Sequence, residues 1–431
     1  MKKYLWIVGA FLCVASTVKA QKKDFSYKFY GQIRTDLFYN SRSNVESVDG
    51  LFYMFPKDVR EDANGKDLND AHNSNFYTLY TRLGMDIQGP VLMGGKIKTS
   101  AKVEADFRGA GSSFSTVRLR QAYFKLSYGA SSLLAGQTWH PLYGSVTPDI
   151  MNLNMGAPYQ PFSRAPQIRY QYSNKNVVVT AAALWQSQYL SAGPASDELG
   201  DTNTKKNQKF IKDSGIPELY VGIDLKHQNF LIGAGAHVSS LMPNTQWSHN
   251  VSENGSVSRK VYKADKRVTG VSGEIHMKYK NECFTLAAKS VLSSNLTQTS
   301  TVGGFGIKSV NKETGVSDYT PLRVSHSWIN LVYGKKLKAG IFAGYLKNLG
   351  AKDELYSKGG APYAWVYGTG TDIDALTTTS AELTYNLPNW KFGVEYSWTS
   401  ALYGERNNKG KVKDTHTVNN NRLVFSALFF F

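Results

Sequence analysis

Residues 96–108 read KIKTSAKVEADFR, and apolar and charged side chains alternate along this stretch. The odd-numbered positions carry Ile, Thr, Ala, Val, Ala and Phe, whereas the even-numbered positions carry Lys, Lys, Ser, Lys, Glu, Asp and Arg. A period of two is that of a β-strand whose two faces meet different surroundings. A packed soluble core does not hydrate so many charges. The stretch therefore predicts a strand with one face toward lipid and the other toward water.

The same alternation recurs along the chain in segments of about 9 to 13 residues, the length that a tilted strand needs to cross a bilayer. Clear examples are residues 25–40, 80–88 and 390–398. In residues 117–126 the apolar phase shifts midway, which predicts a β-bulge. The carboxyl end, RLVFSALFFF at 422–431, alternates again and ends on an aromatic residue. It resembles the terminal strand of outer-membrane proteins.

Short turns and long polar segments alternate between these strands. Seven short turns are expected near 89–95, 129–131, 173–176, 227–229, 280–281, 334–336 and 388–389. Eight long loops are expected at 41–75, 109–115, 140–166, 186–216, 241–266, 295–325, 347–376 and 401–417. This count predicts an all-β fold, a transmembrane antiparallel β-barrel of about 16 strands. In such barrels the short turns and both termini are periplasmic and the long loops are extracellular.

The amino end has the layout of a cleaved signal peptide. Two lysines precede an apolar run at 4–15, and small residues stand at positions 18 and 20, so cleavage is expected before Gln21. Residues 1–20 are thus predicted to be the signal peptide and residues 21–431 a single barrel domain in the outer membrane. The mean hydropathy is −0.35, and the sequence after the signal peptide has no helix-length apolar run. A chain of this kind enters a membrane only as a closed barrel.

Cysteine usage is consistent with export without a disulfide framework. The chain has two cysteines, and Cys13 leaves with the predicted signal peptide. A lipoprotein is not expected, because Leu12 before this cysteine is not a small residue. Cys283 remains alone.

A long segment between two strands is rich in proline and lacks strand alternation. Its prolines and glycines predict a rigid loop, which can fold inward and narrow a pore; they are Pro141, Gly144, Pro148, Gly156, Pro158, Pro161 and Pro166. Residues 136–170, with GQTWHP at their start and RAPQIRY at their end, resemble the strand, third loop and following strand of trimeric porins. The resemblance is closest to the DcaP-like porins and their relatives in the Bacteroidota. It implies a homotrimer and a third loop that constricts the pore, with Asp149 and Arg164 at the constriction.

The inward faces of the first strands carry a series of basic residues. The candidate pore-lining and constriction residues are Arg34, Arg82, Lys98, Lys102, Arg118, Arg120, Asp149, Arg164 and Arg169, and Arg108 follows the same pattern. With few acidic partners, such a basic ladder would raise the local concentration of anions. Alternatively the lumen charges brace one another, because Asp36, Asp86, Glu104 and Asp106 lie in the same pattern. The net charge of +17 is consistent with an anion preference.

We therefore expect an outer-membrane porin for passive diffusion of small hydrophilic solutes, with a preference for anions. The alternative is a surface adhesion or structural barrel whose lumen is blocked. The expected partners are small polar or anionic solutes, outer-membrane lipids, and lipopolysaccharide phosphates at the loop lysines. Nucleic acid is not expected as a partner, given export and the strict alternation.

Motifs for enzymes, cofactors and metals are incomplete. Residues 306–309 have one residue too many before the lysine of a phosphate loop, and residues 368–370 lack the third glycine of a dinucleotide motif. The eight histidines have no metal-ligand spacing. Residues 62–67 place oxygen ligands around a glycine, but the calcium-loop register puts Arg60 at the first ligand position. No enzyme activity, cofactor or metal is expected, and a calcium site in this loop is the minor alternative to a polar loop.

Overall fold

The computed structural model describes residues 25–47, 50–108, 115–253, 256–357 and 365–431. The predicted signal peptide at 1–20 lies outside the described residues. Among the residues that are described, no helix has the length and apolar character needed to cross a membrane.

Sixteen antiparallel strands of the described chain form a closed barrel, as the sequence predicted. The last strand pairs with the first, for example Phe429 with Ile33 and Leu423 with Tyr39. The strands are β1 Ser26–Asn40, β2 in two pieces Asn73–Tyr77 and Arg82–Gln88, β3 Lys98–Asp106, β4 Arg118–Tyr128, β5 Ser131–Trp139, β6 Arg164–Ser173, β7 Val177–Leu184, β8 Glu218–His227, β9 Phe230–Leu241, β10 Val268–Lys280, β11 Phe284–Ser294, β12 Ser317–Gly334, β13 Leu337–Ala351, β14 Ile373–Leu387, β15 Trp390–Arg406 and β16 Val412–Phe430.

Short turns and long loops alternate around the barrel as predicted, so one rim carries the short turns and the other the long loops. We call these the short-turn rim and the long-loop rim. The last three long loops are shorter than predicted, because β12 begins at Ser317, β13 continues to Ala351 and β16 begins at Val412. Polar residues at the ends of these strands indicate loops in the sequence, but they continue the strand pairing in the structure.

The long loops contain their own small elements. Hairpins form between Asn44–Ser47 and Phe52–Pro56, between Ala192–Pro194 and Thr204–Lys206, and between Gln246–Glu253 and Ser256–Lys263. A strand at Gly303–Val310 pairs with the start of β12 and with Val366–Thr369. Helix α1 spans Lys209–Ser214, and a 3-10 turn spans Thr297–Thr299.

Strand alternation separates an apolar outer face from a polar inner face. In β16 the ring of Phe425 is 47% exposed on the outside, whereas Arg422 and Ser426 are buried on the inside. The bulge predicted in β4 is confirmed, since Glu104 pairs with Gln121 but Ala105 pairs with Leu119.

Candidate functional site

The third loop, residues 140–163, crosses the barrel interior and is fixed to the far wall by hydrogen bonds. The carboxylate Oε2 of Glu395 accepts from the backbone N–H groups of Met151 at 2.7 Å and Asn152 at 2.9 Å. The indole Nε1 of Trp328 donates to Oε1 of Gln160 at 2.8 Å. The loop is therefore folded inward, as the fold prediction stated.

Packing against small wall residues completes this anchoring. Tyr159 of the third loop lies on Gly344 of β13, where an added Cβ would overlap its ring. The Tyr159 hydroxyl is 2.8 Å from Oγ1 of Thr378. At Gly393 of β15 an added Cβ would lie 2.9 Å from Sδ of Met151. Two glycines in the wall thus leave the space that two loop side chains fill.

Four arginines surround the ring of Tyr80 on the barrel wall that faces the third loop. Tyr80 lies at the break between the two pieces of β2, where its side chain is buried inside the barrel. The guanidinium carbons of Arg82, Arg108, Arg120 and Arg34 lie 5.0, 5.1, 5.4 and 5.5 Å from the centre of its ring. These distances are in the range of cation–π contacts. These four arginines, together with Arg118 and Arg164, are called the arginine cluster.

The expectation of few acidic partners was wrong. Arg118 pairs with Asp106 at 2.6 Å, and Arg120 pairs with both Glu104 at 2.7 Å and Asp106 at 2.8 Å. The register of β3 against β4 explains this, because it sets Asp106 opposite Arg118 and brings the bulge residue Arg120 toward both carboxylates. Two further pairs follow on neighbouring strands, Arg34 with Asp36 at 2.7 Å and Arg82 with Glu104 at 3.9 Å. The alternative, in which charged side chains in the lumen form ion pairs with one another, therefore applies to much of the cluster.

The cluster still has an excess of positive charge. The cluster has six arginines, of which four pair with its three carboxylates, those of Asp36, Glu104 and Asp106. A buried set of charges in which cations outnumber anions attracts anionic solutes.

Arg164 adds to the excess of positive charge because its neighbours are aromatic rings and not carboxylates. Its guanidinium carbon lies 4.8 Å from the ring centre of Trp139 and 5.5 Å from that of Tyr189. Trp139 also joins Arg164 to the rest of the cluster, since Arg120 lies 5.7 Å from the same ring. Arg164 has no ion pair among the described residues, and its buried Nη1 has no hydrogen-bond partner there. Its Nε donates to Oε1 of Gln188 at 3.3 Å and its Nη2 to the Tyr189 hydroxyl at 3.2 Å, so Arg164 is a buried, fixed charge that no carboxylate neutralises.

Two of the candidate lysines lie away from the arginine cluster, toward the short-turn rim. Lys102 pairs with Asp86 at 2.7 Å and donates to the Tyr30 hydroxyl at 3.0 Å. Lys98 is exposed at the first position of β3.

Arg169 and Asp149 also lie outside the cluster. Arg169 donates from Nη2 to the carbonyl oxygen of Trp139 at 2.6 Å, below the root of the third loop. Asp149 lies near the far wall, where Lys391 is 3.5 Å from its carboxylate. The structure thus brings together Arg34, Arg82, Arg118, Arg120 and Arg164 of the candidate residues, and does not add Asp149, Arg169 or the two lysines.

Sequence reasoning missed the first-loop hairpin, which also lies inside the barrel. The rings of Phe52 and Phe162 are 5.1 Å apart, and Asn154 donates from Nδ2 to the carbonyl oxygen of Tyr53 at 2.9 Å. The available signal was the apolar run LFYMFP at 51–56 inside a polar loop. The hairpin packs against the third loop and lies beside Arg108, whose guanidinium carbon is 5.8 Å from the Phe52 ring centre.

A buried cluster at the root of the third loop was not visible from sequence spacing. His140, Glu218 and His237 place their potential ligand atoms within 4.8 Å of one another. Glu218 already accepts hydrogen bonds from His237 at 2.8 Å, Gln186 at 2.6 Å and Gln298 at 3.1 Å. Nδ1 of His140 accepts from a backbone N–H at 3.1 Å, which puts the proton of a neutral ring on Nε2 and leaves that atom unsuited to bind a metal. The cluster is therefore a hydrogen-bonded group that holds the third loop at its first residue, His140.

A family model described as "DcaP outer membrane protein" matches residues 14–231, just over half of the chain. No curated protein gives a significant match.

Solved structures share the fold at low identity. The outer membrane channel DcaP of Acinetobacter baumannii is 17% identical with a TM-score of 0.63, over 96% of this chain and 99% of that chain. The trimer form of OmpT of Vibrio cholerae is 14% identical with a TM-score of 0.52, over 95% and 100% of the two chains. An anion-selective porin from Comamonas acidovorans is 9% identical with a TM-score of 0.52, over 95% and 100%. At these identities the likeness concerns the fold alone.

Proposed function

This chain belongs to the DcaP outer membrane protein family, and from that premise we propose that it is a porin through which small hydrophilic solutes diffuse, anions in preference to cations. The observation that carries the anion preference is the excess of arginine over carboxylate in the cluster facing the third loop. In this proposal the permeating solute passes the accessible edge of the cluster, where the side chains of Arg82 and Arg118 are 22% and 16% exposed.

The carboxylates of the cluster have a positioning role in this mechanism. Glu104 and Asp106 hold Arg118 and Arg120 in fixed orientations, so that the positive groups do not fold back onto the wall. Arg164 is held by stacking on Trp139 and by hydrogen bonds to Gln188 and Tyr189, and it adds a buried positive charge without a carboxylate partner. Inside a barrel wall of low dielectric constant, such fixed charges act on a passing ion more strongly than they would in bulk water.

A barrel with a blocked lumen that serves adhesion or structure is the second candidate. It is favoured by the two segments inside the barrel, the third loop and the first-loop hairpin, which pack on each other through Phe52 and Phe162. Liposome swelling separates the two functions. Liposomes containing the purified protein should swell in isosmotic solutions of small sugars, at rates that fall as solute size increases. Rates equal to those of protein-free liposomes would support the blocked barrel.

The orientation and processing of the chain are part of the proposal. We propose that residues 1–20 are removed, that the short-turn rim and both termini are periplasmic, and that the long loops are extracellular. Exposed lysines of these loops are then in position to meet lipopolysaccharide phosphates. The relationship of this chain to porins of the Bacteroidota is a prediction from the sequence motif.

A homotrimer is proposed as the assembly. The support is an apolar depression of about 530 Å³ on the outer face, lined by side chains of β1, β2 and β13 to β16 that include Leu37, Phe76, Phe392 and Phe425. The first-loop hairpin does not add to this outer face, because its apolar residues are buried inside their own barrel. The known trimer form of OmpT of Vibrio cholerae, which shares the fold, is a second support.

A further inference from the structure

Below the third loop, on the wall opposite the arginine cluster, a cavity of about 360 Å³ is lined by four lysines, Lys278, Lys280, Lys335 and Lys338. Lys278 and Lys280 are at the end of β10, and Lys338 is at the start of β13, so all three are close to the short-turn rim. Thr147 and Asp149 of the third loop form the opposite side of the cavity.

The three lysines of the cavity that lie on β10 and β13 have no ion-pair partner among the described residues. The acidic groups beside them are already engaged, because Glu282 pairs with Lys335 at 2.7 Å and Asp149 lies 3.5 Å from Lys391. Asp149 is also held in place at its backbone N–H, which donates to Oδ1 of Asn330 at 2.9 Å. The lining therefore holds four lysines against two carboxylates, an excess of two positive charges.

The size and donors of the cavity define a ligand class. A volume of about 360 Å³ lies at the lower end of the range for small-molecule sites. Lysine ammonium groups are compact point charges that suit phosphate and other multivalent oxyanions. Asn330 and Thr285 add neutral polar groups to the lining. A monovalent anion would meet only one ammonium at a time, whereas a multivalent anion can meet two or three.

We propose that this cavity is a second anion site, separate from the arginine cluster, which binds multivalent oxyanions that reach it from the short-turn rim. The inference rests on the proposed function only in that it adds a binding site to the same lumen. It makes the channel asymmetric, because the lysines lie at one mouth.

The first test is the binding of inorganic pyrophosphate to the full chain in detergent, measured by titration calorimetry. The wild type should bind, and K278Q/K280Q/K338Q should bind at least about a hundredfold more weakly or not at all, since each lost charge-assisted hydrogen bond weakens binding by about tenfold. The matched control is K312Q/K352Q/K409Q, which removes the same charge from three exposed lysines of the long-loop rim. No binding to the wild type, or an equal loss in both triple variants, would overturn the inference.

A second test uses the folded wild-type protein. The half-buried thiol of Cys283 lines the same cavity. Modification with a sulfonate-bearing methanethiosulfonate should weaken pyrophosphate binding, and a trimethylammonium-bearing reagent should not weaken it. Equal effects of the two reagents would show that charge at this cavity does not control binding.

Conductance and pyrophosphate binding, measured on the same protein, separate this inference from the proposed function. In planar bilayers, pyrophosphate added at the short-turn side should reduce the current at lower concentration than pyrophosphate added at the other side, and labelling of Cys283 identifies that side. A conducting, anion-selective channel without pyrophosphate binding would refute the second site alone. Pyrophosphate binding to a protein that does not conduct would refute the porin and leave the site standing.

Discussion

Arg120 and Arg164 carry the same charge but have different surroundings. Arg120 is 1% exposed and contacts two carboxylates, whereas Arg164 is 0% exposed and is stacked on aromatic rings. Alternation in the sequence predicted that Arg120 faces inward, but its partners depend on the register of β3 and β4 and on the bulge, which no single strand reveals. For the same reason Tyr80, at the centre of the cluster, was not recognised as a candidate.

Replacement of Arg164 should reduce the anion preference. Arg164→Gln removes a cation without leaving a carboxylate unpaired, so the reversal potential in a KCl gradient should move toward the cation-selective side. Arg259→Gln is the control, because Arg259 is 54% exposed in a long-loop hairpin. Equal potentials for the two variants would argue against a role of Arg164 in selectivity.

Replacement of Arg120 should instead destabilise the barrel. Arg120→Gln leaves Glu104 and Asp106 buried with only part of their compensation, which costs about 3 kcal/mol by comparison with other broken buried pairs. Urea unfolding followed by tryptophan fluorescence measures the change. The double variant Glu104→Gln/Arg120→Gln should recover part of the loss, and no recovery would mean that the pair does not act as a unit.

At the scale of elements, the strands were predictable and the course of the loops was not. Period-two alternation and turn spacing depend on local sequence, so strand number, the β4 bulge and the terminal strand were all confirmed. The first-loop hairpin was missed because its apolar run 51–56 does not say which surface will cover it. The inward third loop came from a family resemblance, and its contacts with Gly344 and Glu395 came only from the structure.

A variant that disturbs the contact between Tyr159 and Gly344 tests whether the third loop sets the pore size. Gly344→Ala should displace the Tyr159 ring, weaken the attachment of the loop and change the single-channel conductance. Gly273→Ala is a suitable control, since an added Cβ there meets its nearest neighbour, a backbone oxygen, at 3.9 Å. If the two variants conduct like the wild type, the third loop does not limit the current.

At the scale of the whole molecule, the closed barrel exposes its apolar outer face on all sides, and part of that face should be covered by other subunits. Native mass measurement in mild detergent should find three chains. Phe392→Arg together with Phe425→Arg places charges in the outer depression and should shift the protein to monomers without opening the barrel. A wild type that is monomeric under these conditions would contradict the homotrimer.

The most direct test of the central claim is the reversal potential of the wild-type channel across a KCl gradient in a planar bilayer. An excess of fixed arginine charge predicts that chloride is more permeant than potassium. The preference should weaken as salt is raised from 0.1 M to 1 M, where the Debye length falls from about 10 Å to about 3 Å. A potential of the opposite sign, or one near zero at low salt, would contradict the account.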